Sequence, residues 1–192
     1  MNRKKIAKCV SAITQAPIVA LILLSIIYAS HAFVSQVSMV LGVIFLTVIP
    51  ILSIFTWSKY IGETHGNISN KSDRLVPYIV SIISYFIYWV ILICLNSDKV
   101  LTFVAVSYSI GTLVLFIINM WCKVSAHASG VAIACSLLIC IFGIYGLISL
   151  LILPVVLWSR FTLKKHTWSQ LILGMCTGFV VPICIYTIAV FL

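Results

Sequence analysis

Acidic side chains are nearly absent from this chain of 192 residues, which has three of them against 12 Lys and Arg. The acids are Glu63, Asp73 and Asp98. Charged residues of both signs make up only 8% of the sequence, whereas about a quarter of a soluble globular domain is charged. Long polar stretches are also missing, so we expect no second, soluble domain within these 192 residues.

The residues that are present are mostly apolar, at 63% hydrophobic content and a mean hydropathy of +1.25. Such a composition predicts an all-α, polytopic transmembrane helical bundle of about six to seven spans, because helices satisfy their own backbone groups in lipid. The apolar runs are continuous rather than alternating, which argues against a β-barrel. We expect one membrane-embedded domain over 1–192, with an N-terminal helical hairpin over 1–57 and a core over 58–192.

The seven cysteines show no CxxC pair or other metal-ligand spacing. Most of them lie inside apolar runs, as is typical of small core residues. We therefore expect no metal site and no cofactor.

Apolar runs of about 20 residues predict the individual spans. The first run continues well beyond the core of a signal peptide and has no convincing cleavage site, so we interpret it as a retained span. His31 and Ser35–Gln36 mark the first turn. The predicted spans lie near 14–34, 38–57, 76–95, 101–120 and 168–191.

Two glycines in the last predicted span, Gly174 and Gly178, are four residues apart. This spacing places them on one helix face and predicts a close helix–helix contact there.

Residues 128–158 allow two interpretations, either one long tilted helix or two shorter helices that turn near Gly143–Gly146. A hairpin puts eleven of the 12 Lys and Arg residues on one face of the membrane, with Lys99 on the other. The excess of positive charge then predicts that this face is cytoplasmic. A single span would separate the basic clusters described next and would rule out a shared site.

The third basic cluster in chain order is Ser159-Arg160, then five residues, then His166, between two apolar segments. A guanidinium group binds phosphate oxygens in pairs, and a neutral imidazole can attack phosphorus to form a phosphohistidine. The alternative is that these residues only anchor a helix end at the membrane interface.

The second cluster runs from Lys123 to Gly130 and contains Ser125 and His127. Ser125 is placed to begin a helix, whose free N–H groups attract an anion together with Lys123. His127 would lie in the first turn, where it can protonate a leaving oxygen. The alternative is a serine helix cap followed by an interfacial histidine.

The first cluster is the segment 70–77, in which Lys71 and Arg74 are about one helical turn apart. This spacing lets both side chains bind one anion. The alternative is an ordinary positively charged loop.

Together the clusters predict one phosphate-binding site at a membrane boundary. The cations are confined to loops, so we expect the bilayer and a lipid phosphate as partners rather than nucleic acid.

The three clusters resemble the motifs of the type 2 phosphatidic acid phosphatase family, K-x6-R-P, P-S-G-H and S-R-x5-H-x3-D. The third motif matches through Ser159, Arg160 and His166, and the second matches loosely as Val124-Ser-Ala-His127. The first is divergent, since Asn67 stands seven residues before Arg74 and Pro77 follows three residues after it.

The resemblance implies a metal-independent phosphatase of lipid-linked phosphates, such as phosphatidate or polyprenyl diphosphate. By position, it makes His166 the nucleophile and His127 the general acid. It assigns phosphate binding to Arg160, Arg74, Lys71 and Ser125.

One position departs from the family, because Gln170 stands where the motif has Asp. Gln170 can accept a hydrogen bond from the His166 ring but brings no charge. We expect Asp73 or Glu63, both in the loop that contains the first cluster, to supply the missing carboxylate. The alternative function is a binding or transport protein that holds a phospholipid or anion without cleaving it.

Overall fold

The computed structural model describes residues 2–30, 34–63, 68 and 70–191. His31 of the predicted first turn and Asn67 of the divergent first motif lie outside these ranges.

Nine α-helices occur within the described ranges, and no strand occurs there. A π-helical segment, Val43–Val48, joins the third helix to the fourth, and 3₁₀ segments at Ser72–Arg74 and Gly143–Leu151 precede the fifth and the eighth. The helices are α1 (Arg3–Ile13), α2 (Ala16–Ser30), α3 (Gln36–Gly42), α4 (Ile49–Tyr60), α5 (Leu75–Cys94), α6 (Lys99–Trp121), α7 (Ala126–Phe142), α8 (Ile152–Thr162) and α9 (Trp168–Phe191).

Five helical stretches of the described chain are long and apolar enough to cross a membrane, or six when α1 and α2 count as one bent span. This confirms the all-α membrane bundle predicted from composition. The predicted spans at 38–57, 76–95, 101–120 and 168–191 agree with the observed helices within three residues.

The N-terminus differs from the prediction, because α1 is a separate helix that meets α2 at an angle of 61°. Pro17 explains the break, since its nitrogen carries no hydrogen to bond the carbonyl of Ile13. Proline is well tolerated in the first turn of α2, where such a donor is not needed. The basic N-terminal segment therefore forms a helix of its own, before the predicted first span.

The segment 126–162 reverses direction at Gly143 and forms two limbs. By length and composition alone, its 37 residues would pass as one continuous membrane span. Gly143 has φ +59°, which a residue with a side chain rarely adopts. The Sγ of Cys135 donates a hydrogen bond to the carbonyl of Ser149 at 3.3 Å. A continuous helix would hold residues 14 apart at a separation of about 21 Å.

Gly146 lets the backbone of the second limb lie directly against the backbone of α7. A Cβ atom there would lie 2.3 Å from the carbonyl oxygen of Leu138, so only glycine fits. Between the two interpretations of 128–158, the structure therefore selects the hairpin.

The main core joins α2, α5, α6 and α7, with Leu24, Tyr88, Leu101 and Leu137 fully buried. The N-terminal helices and the rest of the chain thus share one core. Burial of such side chains stabilises a fold by about 1.5–3 kcal/mol each in water, while packing and hydrogen bonding take over this role in lipid.

Helix α9 packs closely along α7, as Gly174 and Gly178 predicted. A Cβ atom on Gly174 would lie 2.5 Å from the carbonyl oxygen of Ser125, and one on Gly178 would lie 2.4 Å from that of Ser129. This contact confirms the predicted packing face and holds the start of α9 beside the start of α7.

Candidate functional site

The spacing between Arg160 and His166 is set by the end of α8 and the start of α9. Helix α8 ends in a Schellman turn, in which Lys164 N–H bonds Phe161 O and Lys165 N–H bonds Arg160 O. Lys164 accordingly has φ +53°. This turn reverses the chain directly after Arg160 and returns it toward the start of α9, where His166 lies.

Helix α9 begins with a capping box. The backbone N–H of Gln170 bonds Oγ1 of Thr167 at 3.4 Å, and the backbone N–H of Thr167 bonds Oε1 of Gln170 at 3.3 Å. Because Oε1 accepts from a backbone N–H, the orientation of the Gln170 amide is fixed.

The same Oε1 atom lies 3.2 Å from Nδ1 of His166. An amide oxygen can only accept, so Nδ1 carries the proton and Nε2 has a free lone pair. The Gln170 side chain therefore sets the tautomer that a nucleophilic histidine requires, and does so without a charge.

Two further candidate residues meet at Ser11 of α1. The Nη1 atom of Arg160 donates to Oγ of Ser11 at 2.5 Å, and Nε2 of His127 donates to the carbonyl of Ser11 at 3.1 Å. Helix α1 is fixed against α8 by a hydrogen bond from Oγ of Ser159 to the carbonyl of Ala7. Ser159, which is fully buried, thus serves the packing of α1.

The guanidinium of Arg74 is buried beside the start of α7. Its Nε and Nη2 atoms donate to the carbonyl of Ile68, and Nη1 donates to the carbonyl of Val124 at 3.0 Å. These bonds use three of its five N–H donors and tie the first cluster to the second.

Four of the candidate side chains line a single inner cavity of about 120 Å³ between the helices, namely Arg74, His127, Arg160 and His166. None of its described lining residues is Asp or Glu. A cavity that gathers buried cationic groups without a carboxylate in its wall favours an anionic ligand.

A second, open groove of about 990 Å³ lies on the outer side of His166. Five cationic residues line it together with Gln170, and His166 borders both spaces. The five cations are Arg3, Lys4, Lys123, Lys164 and Lys165. His166 therefore stands between an electropositive groove and the inner cavity.

Burial, together with the charges of Arg74, Arg160 and Lys123, lowers the pKa of His166 to about 3. Burial also lowers the pKa of Lys123, assisted by the charge of Arg74. His166 is consequently neutral at physiological pH, with Nε2 able to act as a nucleophile or as an acceptor.

Two residues predicted to bind phosphate have other partners. Lys71 Nζ donates to the carbonyls of Met120 and Trp121 at the end of α6, and Lys71 lines neither cavity. Ser125 Oγ accepts from the N–H of Ala128 as the N-cap of α7, and Ser125 is fully buried. The structure thus gives both residues helix-capping roles, and the predicted convergence of Lys71 with Arg74 on one anion is not observed.

Among the described contacts, neither Asp73 nor Glu63 bonds the ring of His166. The carboxylate of Asp73 accepts from Nδ2 of Asn70 at 3.1 Å, and neither Asp73 nor Glu63 is among the described lining residues of the two spaces. The described hydrogen bond of the His166 side chain goes to Gln170. No described contact therefore supports the expectation that Asp73 or Glu63 replaces the missing carboxylate beside His166.

Sequence reasoning missed the part that α1 plays in the site. Ser11 contacts two candidate residues, and Gln15, in the link between α1 and α2, lines the inner cavity. The available signal was Pro17, which breaks the helix and separates α1 from the first span. Nothing local in the sequence indicated where α1 would pack.

Within the described residues, no group of three or more His, Cys, Asp or Glu side chains is placed to hold a metal ion. Chemically, the site offers a neutral imidazole, a second imidazole and two guanidinium groups around one small cavity. No protein-family model matches the chain, and no curated protein or solved structure matches it significantly. The resemblance to the type 2 phosphatidic acid phosphatase family therefore stays a prediction from the motifs.

Proposed function

We propose that this chain is a membrane phosphatase that cleaves a lipid-linked phosphate through a phosphohistidine intermediate. The observation that carries the proposal is the convergence of His127, Arg160, His166 and Arg74 on one cavity whose described lining contains no acid. This set of side chains also agrees with the roles that the family resemblance implies.

The nucleophile is Nε2 of His166. Its lone pair is free because Nδ1–H is bonded to Gln170, and the lowered pKa keeps the ring neutral. In the first step a bond forms from Nε2 to phosphorus as the bond from phosphorus to the leaving oxygen breaks. The guanidinium groups of Arg74 and Arg160 stabilise the charge on the transferring phosphoryl oxygens.

The general acid is His127, which lines the same cavity. Its imidazolium form protonates the leaving oxygen, and the neutral ring then accepts a proton from the water that attacks the phosphohistidine. The second step releases phosphate and restores His166. The negative charge of a bound phosphate offsets the neighbouring guanidinium groups and favours protonated His127 before the first step.

The position of the site supports a lipid substrate. Arg74 and His127 lie at the starts of α5 and α7 and Arg160 lies in the last turn of α8, so the site is at one end of the membrane-spanning helices. This is the depth of lipid headgroups. The cations of the open groove attract an anionic headgroup or a second phosphate.

The decisive experiment measures phosphate release from the detergent-solubilised protein with phosphatidate and with polyprenyl diphosphate. His166→Ala should reduce the rate by at least about 10³-fold, because it removes the nucleophile. His31→Ala is the matched control and should retain activity. A trapped phosphohistidine should be detectable in the unsubstituted chain and lost in His166→Ala.

Release that is unchanged in His166→Ala would contradict the mechanism. Phosphate binding without release in the unsubstituted protein would instead favour the alternative, a phospholipid- or anion-binding or transport protein.

We further propose that the catalytic face is cytoplasmic, because eleven of the 12 Lys and Arg residues belong to it. In a cysteine-free background, a membrane-impermeant maleimide applied to intact cells should label Lys99→Cys but not Lys164→Cys. The reverse pattern would place the site on the outer side.

A further inference from the structure

The open groove on the outer side of His166 is lined by parts of the chain that lie far apart in sequence. Arg3 and Lys4 belong to the first turn of α1, and Lys164 and Lys165 belong to the turn between α8 and α9. Lys123, in the link between α6 and α7, completes the set. None of the groove's described lining residues is Asp or Glu.

The positive charges around this groove repel one another. Burial lowers the pKa of Lys123, and the charges of Arg74, Lys165 and Arg160 lower it further. A concave space lined by charges of one sign attracts ions of the other sign and raises their local concentration. An anion bound here would offset the repulsion and strengthen the contact of α1 with the turn between α8 and α9.

Two aromatic side chains also line the groove. The ring centroids of Phe161 and Trp168 are 4.9 Å apart, and the two side chains are about half exposed. Phe161 lies in the last turn of α8, and Trp168 is the first residue of α9. Exposed tryptophan at the end of a span is typical of the level of lipid headgroups. A free phosphate ion gains little from these rings, whereas the glycerol and upper acyl chain of a lipid can pack against them.

Helix α1 has the features of a helix that lies in the membrane interface. Its exposed cations are Arg3, Lys4, Lys5 and Lys8. Ala7 faces the protein, where it is fully buried and its carbonyl accepts a hydrogen bond from Ser159. The angle of 61° between α1 and α2 turns α1 away from the direction of the following span. Basic helices of this kind bind anionic lipid surfaces.

The size of the groove suits a whole lipid headgroup. Its volume is about 990 Å³, against about 120 Å³ for the inner cavity. The groove therefore has room for a phosphodiester together with its glycerol units, in addition to the charges that attract it.

We propose that this groove binds the headgroup of an anionic phospholipid of the surrounding bilayer, a phosphodiester such as phosphatidylglycerol, as a bound lipid and not as a substrate. Arg3 and Lys4 on one side and Lys164 on the other attract its phosphate. A phosphodiester lacks the terminal phosphate that the proposed reaction releases, so this inference goes beyond the phosphatase proposal and does not depend on it.

The first test uses native mass spectrometry of the detergent-solubilised protein in an equimolar mixture of phosphatidylglycerol and phosphatidylcholine with identical acyl chains. The protein should retain phosphatidylglycerol with a preference of at least about tenfold. Arg3→Gln combined with Lys4→Gln should reduce this preference by about fivefold or more. Lys164→Gln, from the opposite wall of the groove, should reduce it by about threefold.

The matched control is Lys5→Gln combined with Lys8→Gln. This pair removes the same charge from the same helix, but neither residue lines the groove, so the preference should stay within about twofold of the unsubstituted protein. An equal reduction by the two pairs would show that charge spread over the surface attracts the lipid, and it would overturn the inference. Equal retention of the two lipids by the unsubstituted protein would also overturn it.

Tryptophan fluorescence locates the bound lipid. In phosphatidylcholine vesicles, phosphatidylglycerol brominated close to its headgroup should quench the fluorescence more than brominated phosphatidylcholine at the same mole fraction. The excess quenching should disappear in Trp168→Phe. It should persist in Trp121→Phe, because Trp121 is exposed at the same end of the bundle but does not line the groove. Excess quenching that Trp168→Phe leaves unchanged would place the lipid elsewhere and contradict the proposal.

Two further measurements separate the groove from the proposed catalytic site and from a site for a free anion. His166→Asn removes the proposed nucleophile and should keep the preference for phosphatidylglycerol, even if no phosphate ester is hydrolysed by the unsubstituted protein. Loss of the preference in His166→Asn would place the lipid in the inner cavity and overturn the inference. Inorganic phosphate at the concentration of the lipid should leave retention unchanged, whereas displacement of the lipid would identify a free-anion site instead.

Discussion

The backbone carbonyl of Ser11 accepts a hydrogen bond from Nε2 of His127 at 3.1 Å, although the two residues are 116 positions apart. The hydroxyl of the same serine accepts from Arg160. One residue of α1 thus holds both the proposed general acid and a proposed phosphate-binding side chain.

Ser11→Ala should weaken phosphate binding by about three- to tenfold, because Arg160 loses one of the partners that orient its guanidinium group, and a typical hydrogen bond contributes about 0.5–1.5 kcal/mol. Inhibition by inorganic phosphate measures the effect. Ser25→Ala, whose hydroxyl bonds only the preceding turn of α2, is the control. Tighter phosphate binding in Ser11→Ala would show instead that the serine competes with phosphate for Arg160.

Gln170→Ala should lower kcat by about 10²-fold or more, because it removes the acceptor that fixes the His166 tautomer. Loss of the equivalent partner in a serine-protease triad costs about 10⁴-fold. Thr167→Ala breaks the capping box without touching the ring, so it should lose about 1 kcal/mol of stability with much less effect on kcat. Equal loss of activity in the two variants would assign Gln170 a capping role only.

His166 should remain neutral down to about pH 4, since its pKa in the folded protein is about 3. The unfolded chain binds this proton near pH 6.5, so the stability contributed by neutral His166 is complete above that pH and declines as pH falls from about 6.5 toward 3. Histidine ¹⁵N NMR, with His166→Asn to assign the signal, reports the titration directly. A midpoint near 6.5 would contradict the buried environment described here.

Lys71→Ala should reduce thermal stability slightly, by about 0.3–1 kcal/mol, because Lys71 caps the last carbonyls of α6. Its KM should stay within about twofold of the unsubstituted protein. Arg74→Gln, by contrast, should raise KM by about tenfold or more, because Arg74 lines the inner cavity. Comparable changes in KM for the two variants would restore the original prediction that Lys71 and Arg74 bind one anion together.

Much of the fold followed from local sequence. Continuous apolar runs predicted the long helices α5, α6 and α9, and the spacing of Gly174 and Gly178 predicted the contact between α9 and α7. The hairpin over 126–162 did not follow, because Gly143 and Gly146 are compatible with a continuous helix until the contacts of the second limb are known. The turn at Gly143 brings Arg160 to the same end of the bundle as His127.

The candidate site also has features that local sequence predicts and features that it does not. The spacing of Arg160 and His166 reflects a Schellman turn followed by a capping box, both of which are local structures. The partner of His166 could be narrowed from sequence to Gln170 or an acid, but choosing between them required the position of the first cluster. Lys71 and Ser125 have the residue types of anion ligands and also those of helix caps, and only their contacts distinguish these roles.

Local sequence was enough to predict a helical membrane bundle with basic clusters between its spans, because hydrophobicity and charge act on each segment separately. The packing of distant segments determines that α1 lies against α8 and that Ser11 contacts both Arg160 and His127, and it brings Arg74 and His166 to the same cavity. These relationships depend on close packing between segments far apart in the chain, where a single glycine or proline sets the direction of a whole helix.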